Sequence, residues 1–292
     1  MKTIAFIGFG EVAARFCGAA TQAGARVIAY DVLIDKPGGI EKLKQRIAGD
    51  GPEFMPLQQL LDNARTVLST VTTDVALDAA RACVPHLGSN HVYVDLNATS
   101  PEIKREIGKV ISAPGAAFVE GAILGAVGVT GARTRILVCG ERANAVALTL
   151  SGLGLNVAFY GTDIGRASTF KLLRSVFSKG LEALLLEAML AARRADVFDD
   201  VWREIVATIE EKPFAEVATN WMVTHGTAHE RRYHEMVQVE ALVKALGVEP
   251  LMTEATTAFF ARSTQLGLAP SFANKPSSSA EVVAALDALA CS

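Results

Sequence analysis

Residues 3–31 read TIAFIGFGEVAARFCGAATQAGARVIAYD. The run 3–7 is short, apolar and rich in β-formers, and Gly8, Phe9, Gly10, Glu11, Val12 and Ala13 follow it at once. Residues 11–23 read as a helix with Val12, Phe16 and Ala20 on one side, stopped by Gly24. A second apolar run, 26–30, ends in Asp31. Strand, glycine-rich turn, helix, strand and terminal acid in this order make a dinucleotide-binding unit. Gly8 permits the tight turn, Gly10 lets the backbone approach a diphosphate, and Ala13 allows close helix–strand packing. The first N–H groups of the helix, from Glu11 and Val12 onward, face that diphosphate. Asp31 stands 23 residues after Gly8, placed to accept hydrogen bonds from the adenosine ribose hydroxyls. It repels a 2′-phosphate, and no arginine stands among the next five residues, so NAD is expected over NADP.

Working outward, strands are expected at 66–71, 91–95, 117–120, 134–139 and 155–160, with Thr72, Thr73 and Asp74 capping a helix over 75–83. Pro101 starts another helix. Repeated strand–helix alternation predicts a mainly parallel sheet covered on both faces, with ligands beyond the carboxyl ends of its strands. The candidates there are residues 8–13, Asp31, Val71, Thr72 and Thr73, residues 97–100, and residues 121–125. Beyond Gly161 the pattern becomes helical. A long helix is expected from 168 to 194, then helices near 199–210, 213–222, 228–246, 252–264 and 278–290. The chain therefore reads as two domains, 1–162 and 163–292, the second all-α. On the long helix Lys171, Ser175, Ser178 and Glu182 share a polar face at three- and four-residue spacing.

The whole-chain properties narrow the class. The 292 residues carry 28 basic and 31 acidic side chains, a net charge of −3, and half of them are hydrophobic. That balance argues against a nucleic-acid partner. The four cysteines, Cys17, Cys83, Cys139 and Cys291, show no CxxC spacing and predict neither a disulfide framework nor a thiolate metal site. No apolar run is long enough to cross a membrane, and the first residues read as a strand rather than a secretory leader, so a cytoplasmic protein is expected. His225, His229 and His234 lack HExxH spacing, so no metal is expected.

Four stretches resemble the β-hydroxyacid dehydrogenase family, which includes 6-phosphogluconate and 3-hydroxyisobutyrate dehydrogenases. GFGEVA at 8–13 matches its cofactor turn, and DLNATSP at 95–101 a segment close to D-x-S-T-x-x-P. FVEGAILGA at 118–126 matches its substrate-binding segment, and GRASTFK at 165–171 its G-x-G-x-x-x-K element. The resemblance implies a Rossmann-type doubly wound sheet followed by an all-helical domain that binds substrate and forms a homodimer. It implies a small 3-hydroxy acid as substrate, with Lys171 as general base in alcohol oxidation and general acid in carbonyl reduction. Arg174 beside the lysine is expected to lower its pKa.

Several family contacts are changed. Leu124 stands for a serine, Ala126 for a glycine, Asn97–Ala98 for a serine–threonine pair, and Arg174–Ser175 for two asparagines. His234–Glu235 stands near a lysine–aspartate pair. Asn97 and Thr99 are expected to hold a hydroxyl or carboxylate, Gly121 and Gly125 to offer backbone N–H groups, and Arg174, Arg232 and His234 to hold an anion. Ile123 and Leu124 imply an apolar pocket, and Asn97 also faces the cofactor. The same architecture admits an imine reductase or a non-catalytic dinucleotide sensor, though neither needs Lys171.

Overall fold

The computed structural model describes residues 2–47 and 51–291. The first strands and helices are β1 (Thr3–Ile7), α1 (Glu11–Gln22), β2 (Arg26–Tyr30), α2 (Gly39–Lys44), β3 (Glu53–Phe54) and α3 (Leu57–Asn63). Next come β4 (Thr66–Ser69), α4 (Ala76–Cys83), β5 (Val92–Asp95), α5 (Pro101–Ser112), β6 (Ala117–Leu124), α6 (Val127–Thr130), β7 (Arg135–Cys139), α7 (Ala143–Ser151) and β8 (Val157–Gly161). Among the described residues, α-helices follow: α8 (Arg166–Arg194), α9 (Phe198–Glu210), α10 (Phe214–Ala245), α11 (Leu251–Gln265) and α12 (Ser279–Ala290). The eight strands of the described residues lie in one sheet in the order β3-β2-β1-β4-β5-β6-β7-β8. Every pairing is parallel except β6 with β7. This is the expected Rossmann-like sheet followed by helices.

β1 shows why the sheet is covered on both faces. Ile4 and Phe6 enter one apolar cluster with Phe16 and Leu150, while Ala5 and Ile7 enter another with Leu60 and Ile107. Side chains alternate along a strand, so a continuous buried apolar run needs helices above and below. The turn after β1 faces the crevice because β1 is central and its neighbours β2 and β4 carry the chain away on opposite sides.

The chain divides into two compact units, Met1–Val176 and Phe177–Ser292. The division falls inside α8 rather than at 162/163. The reason is local: Ala167, in the first turn of α8, is fully buried against Ala122, Leu137 and Cys139 of the sheet. In the second unit the two helices expected at 213–222 and 228–246 are one, α10. Gly226, which stands between the two expected helices, packs closely on Pro276 and Phe272, so its small size serves contact rather than termination. No helix among the described residues is long and apolar enough to cross a membrane.

Candidate active site

The glycine turn is built as its sequence requires. Gly8 has φ +80°, and a Cβ there would lie 2.9 Å from the Thr70 carbonyl oxygen. Its N–H donates to the Tyr30 carbonyl at 2.8 Å, and the Thr70 hydroxyl donates to the Gly8 carbonyl at 2.7 Å. Gly10 has nothing within 4 Å of the place a Cβ would occupy, so its backbone opens onto free space at the start of α1. A cavity of about 530 Å³ lies there, walled by Gly8, Phe9, Gly10, Asp31, Val71 and Thr72. A dinucleotide fits this cradle: bare backbone and a helix N-terminus at one point, a carboxylate at the next.

The neighbouring candidates behave differently. Glu11 lies against Gly128, and Val12 packs on the apolar core. The Thr73 hydroxyl approaches the Ala98 carbonyl at 3.5 Å, linking the ends of β4 and β5. The Asp31 carboxylate accepts the N–H of Phe9 at 2.8 Å through one oxygen and that of Leu33 at 2.9 Å through the other. It is thereby fixed on the cavity wall.

Sequence reading missed Arg46. Its guanidinium donates to the Phe9 carbonyl at 2.6 Å and lines the same cavity as Asp31. The chain brings it there by reversing through α2, so no spacing rule counted from Asp31 would find it.

At the end of β5 a buried polar cluster forms. Asp95, Asn97, Thr99 and Lys104 are each at most 4% exposed. The Lys104 ammonium lies 2.8 Å from the Asp95 carboxylate and donates to the carbonyls of Asn97 at 2.7 Å and Gly121 at 3.2 Å. The Asn97 amide nitrogen donates to Ser69 Oγ at 2.9 Å and to Asp95 Oδ1, while Asn97 Oδ1 and Thr99 Oγ1 have no partner among the described residues. Lys104 sits on α5 behind the Ser100 cap, where a charged residue at helical spacing reads as solvated.

The segment 121–125 is not a loop. β6 continues through Leu124, paired with β7, whereas its pairing with β5 ends at Glu120 opposite Asp95. Gly121 is buried and Gly125 is exposed. Ile123 belongs to the sheet core, so the apolar-pocket reading rests on Leu124, which packs with Ala122, Leu137 and Ala167.

Glu120, also unread in the sequence, is fully buried. Its carboxylate accepts the N–H of Ser168 at 2.6 Å and that of Gly165, at the start of α8. An anion at a helix N-terminus satisfies donors that have no partner within the helix and complements its dipole.

Three residues beyond Ser168 on that pinned helix stands Lys171, half-buried on the inward side with Ala167, Ser168 and Ser175. Ser175 Oγ donates to the Lys171 carbonyl at 2.9 Å. Burial, and then the Lys104 charge, hold the Lys171 ammonium below its usual pKa of 10.5. The neighbouring cation is thus Lys104 rather than Arg174, which is exposed.

Arg232 and His234 lie on α10 in the second unit. The Arg232 guanidinium donates to Thr224 Oγ1 at 2.8 Å, and His234 is exposed with its ring 5.2 Å from that of Tyr233. Deeper in this unit His225 bonds Ser263 Oγ through Nε2 at 2.9 Å, and His229 bonds the His225 carbonyl through Nδ1 at 2.9 Å.

Comparison with known proteins bears on this geometry. Residues 3–159 match the family described as the NAD binding domain of 6-phosphogluconate dehydrogenase. Residues 192–263 match a domain of unknown function, DUF1932. An uncharacterized 28.5 kDa protein of Methanothermus fervidus is 30% identical over 258 residues, 88% of this chain and 97% of that one. The mitochondrial 3-hydroxyisobutyrate dehydrogenase of Drosophila melanogaster is 25% identical over 210 residues, 70% of this chain and 63% of that one. Among solved structures, a reductive aminase from Aspergillus terreus in complex with NADPH and ethyl levulinate superposes with a TM-score of 0.76. It is 16% identical over 92% of this chain and 95% of that one, a likeness of fold.

Proposed function

The chain belongs to the family of the 6-phosphogluconate dehydrogenase NAD-binding domain, a dinucleotide-binding, hydroxyacid dehydrogenase-like family, and on that premise we propose that it transfers a hydride between a nicotinamide dinucleotide and a small 3-hydroxy acid or its oxo form. The observation that carries this reading is Lys171, an amine whose basicity is lowered by burial in the same unit as the glycine turn. When bound, the nicotinamide ring supplies the hydride acceptor or donor. Gly8, Phe9 and Gly10 hold the diphosphate, and Asp31 accepts the ribose hydroxyls on lone pairs left by Phe9 and Leu33. Lys171 Nζ takes the hydroxyl proton in oxidation and returns it to the carbonyl oxygen in reduction. Glu120 keeps the first turn of α8, and so the lysine, in place. Leu124 lines the apolar side of the substrate, and Arg174 is the nearest side chain in sequence able to hold its carboxylate.

The cofactor we favour is NAD, because Asp31 repels a 2′-phosphate. Arg46 on the same wall supports some acceptance of NADP. A homodimer through the second unit is favoured by its small core: its buried apolar residues are Ala191, Ala192, Val223, Val243, Val248, Leu268 and Val282. Leu186, Leu242, Trp202, Trp221 and Phe259 of that unit are exposed, and burying them on a second copy would supply the missing core. The free thiols of Cys17, Cys83 and Cys139, all buried, fit a cytoplasmic protein.

The test is a hydride-transfer screen with NAD and NADP over aliphatic, branched and aromatic 3-hydroxy acids, run beside cyclic imines with the reduced cofactors. Turnover of a hydroxy acid that is lost in Lys171→Met supports the reading. Turnover of imines alone moves the protein to C=N chemistry, and cofactor binding without any turnover makes it a sensor.

A further inference from the structure

Lys104 is placed where it cannot touch a ligand. Its three ammonium protons face four acceptors: the Asp95 carboxylate at 2.8 Å and the carbonyls of Asp95 at 2.9 Å, Asn97 at 2.7 Å and Gly121 at 3.2 Å. The side chain is 1% exposed. All of its donors are used inside the protein, and two of its acceptors belong to the segments that carry Asn97 and Gly121.

A buried ion pair is a poor device for stability, since apolar side chains of similar volume do as well or better. What this pair does is hold an orientation. The Asp95 carboxylate that answers Lys104 also accepts from the Asn97 amide nitrogen, which donates in addition to Ser69 Oγ. An amide nitrogen facing a carboxylate cannot flip, because its oxygen would then meet an anion. Asn97 Oδ1 is thereby fixed outward from this network, buried and without a partner among the described residues. A buried acceptor left unmade is costly and marks a place that a ligand completes.

Resting on the hydride-transfer reading above, we propose that Lys104, through Asp95, is a positioning residue that sets Asn97 as an obligate hydrogen-bond acceptor, so that the site takes an N–H or O–H donor there and refuses a carboxylate. This narrows the sequence expectation that Asn97 holds a hydroxyl or a carboxylate. Two donors share the required chemistry, the carboxamide N–H of the nicotinamide ring and the substrate hydroxyl. The same ammonium acts on the reacting lysine, because its charge adds to burial in lowering the proton affinity of Lys171. The other charged groups near the start of α8 are Glu120, taken up by the N–H groups of Gly165 and Ser168, Arg105, which lies against Gly165, and Asp163, whose carbonyl accepts the Arg166 N–H. Arg166 and Arg174 stand on α8 itself.

The test compares wild type with Asn97→Leu and with the double variant Asp95→Asn/Lys104→Met, which removes both charges and strands neither. The probes are NAD and 3-acetylpyridine adenine dinucleotide, which lacks the carboxamide N–H, together with the hydroxy acid found in the screen. If the donor is the carboxamide, wild type binds NAD about 10-fold tighter than the analogue, and both variants bring that ratio near one. If the donor is the substrate hydroxyl, the ratio stays unchanged and KM rises about 10-fold in both variants while NAD affinity holds. Asn97→Leu moving neither quantity overturns the proposal, even if the double variant does not fold. A folded double variant with both quantities unchanged also overturns it.

A second readout needs no turnover. In protein carrying 13C-methylated lysines, with Lys171→Arg to assign its signal, Lys171 titrates below 10.5, and the double variant moves it back toward that value. An unmoved midpoint overturns the effect of the Lys104–Asp95 pair on Lys171. Failure of wild type to bind either dinucleotide sinks the hydride-transfer reading instead and leaves this titration standing.

Discussion

The carboxylate of Glu120 accepts the backbone N–H of Ser168 at 2.6 Å, joining the strand β6 to the first turn of the helix that carries Lys171. A side chain with no solvent exposure is thus spent on positioning a helix end. Glu120→Gln replaces one acceptor with a donor that faces the N–H groups. It is expected to cost about 1–3 kcal/mol, the usual penalty for an unmade buried bond. Urea midpoints of wild type and variant at equal m-value measure it, and a midpoint shift close to zero would refute the assignment.

Lys171→Met is expected to lower kcat by about 10²- to 10⁴-fold, the usual range for a lost general acid or base. NADH affinity should be unchanged. In wild type the neutral amine is the base, so the rate of alcohol oxidation rises with pH and levels above the lysine pKa. Reduction needs the ammonium and falls through the same point. Because burial and the Lys104 charge depress that pKa, both inflections lie below 10.5. A pH profile that is flat up to pH 10 in oxidation would remove Lys171 from the proton transfer.

On the function proposed above, Asp31 and Arg46, which line one cavity, would act in opposite directions on the 2′ position of a bound adenosine ribose. Arg46→Ala should weaken NADPH by about 10-fold, the loss of one charge-assisted hydrogen bond, with little effect on NADH. Asp31→Asn should shift preference toward NADPH by a similar factor. Titration of both cofactors against both variants reads this directly. Equal losses for the two cofactors in Arg46→Ala would place the arginine away from that phosphate.

His225 is pushed down to about 4, first by burial and then by the charges of His229 and Arg232. Its pKa in the fold lies below the unfolded value of about 6.5. The unfolded chain therefore binds the extra proton first as pH falls, and stability is lost between about pH 6.5 and 4. The full contribution is about 3 kcal/mol. His225→Gln, which keeps an amide for Ser263 and cannot be protonated, should flatten the acid limb of stability against pH by that order. An acid limb as steep as wild type would assign acid sensitivity to other groups.

Much of the first unit was legible along the chain. β1, the glycine turn, α1 and β2 follow from local rules, because Gly8, Gly10 and Ala13 answer constraints set within a few residues. The two-residue strand β3 was missed, being too short to carry periodicity. The unbroken α10 was missed because Gly226 reads as a breaker until Pro276 and Phe272 are found against it.

What the sequence by itself determined is the architecture and the dinucleotide cradle it carries. A parallel sheet demands long buried apolar runs, and a diphosphate cradle demands glycine at fixed spacing, so both are written locally. What only the tertiary structure decided is which charges meet. Arg46 reaches the Phe9 carbonyl from 37 residues away, Glu120 reaches Ser168 from 48, and Lys104 gathers carbonyls from the ends of β5 and β6. The physical reason is that hydrogen bonds and buried ion pairs depend on position in space to within a few tenths of an ångström. Spacing along a chain constrains position that closely only within one turn or one strand.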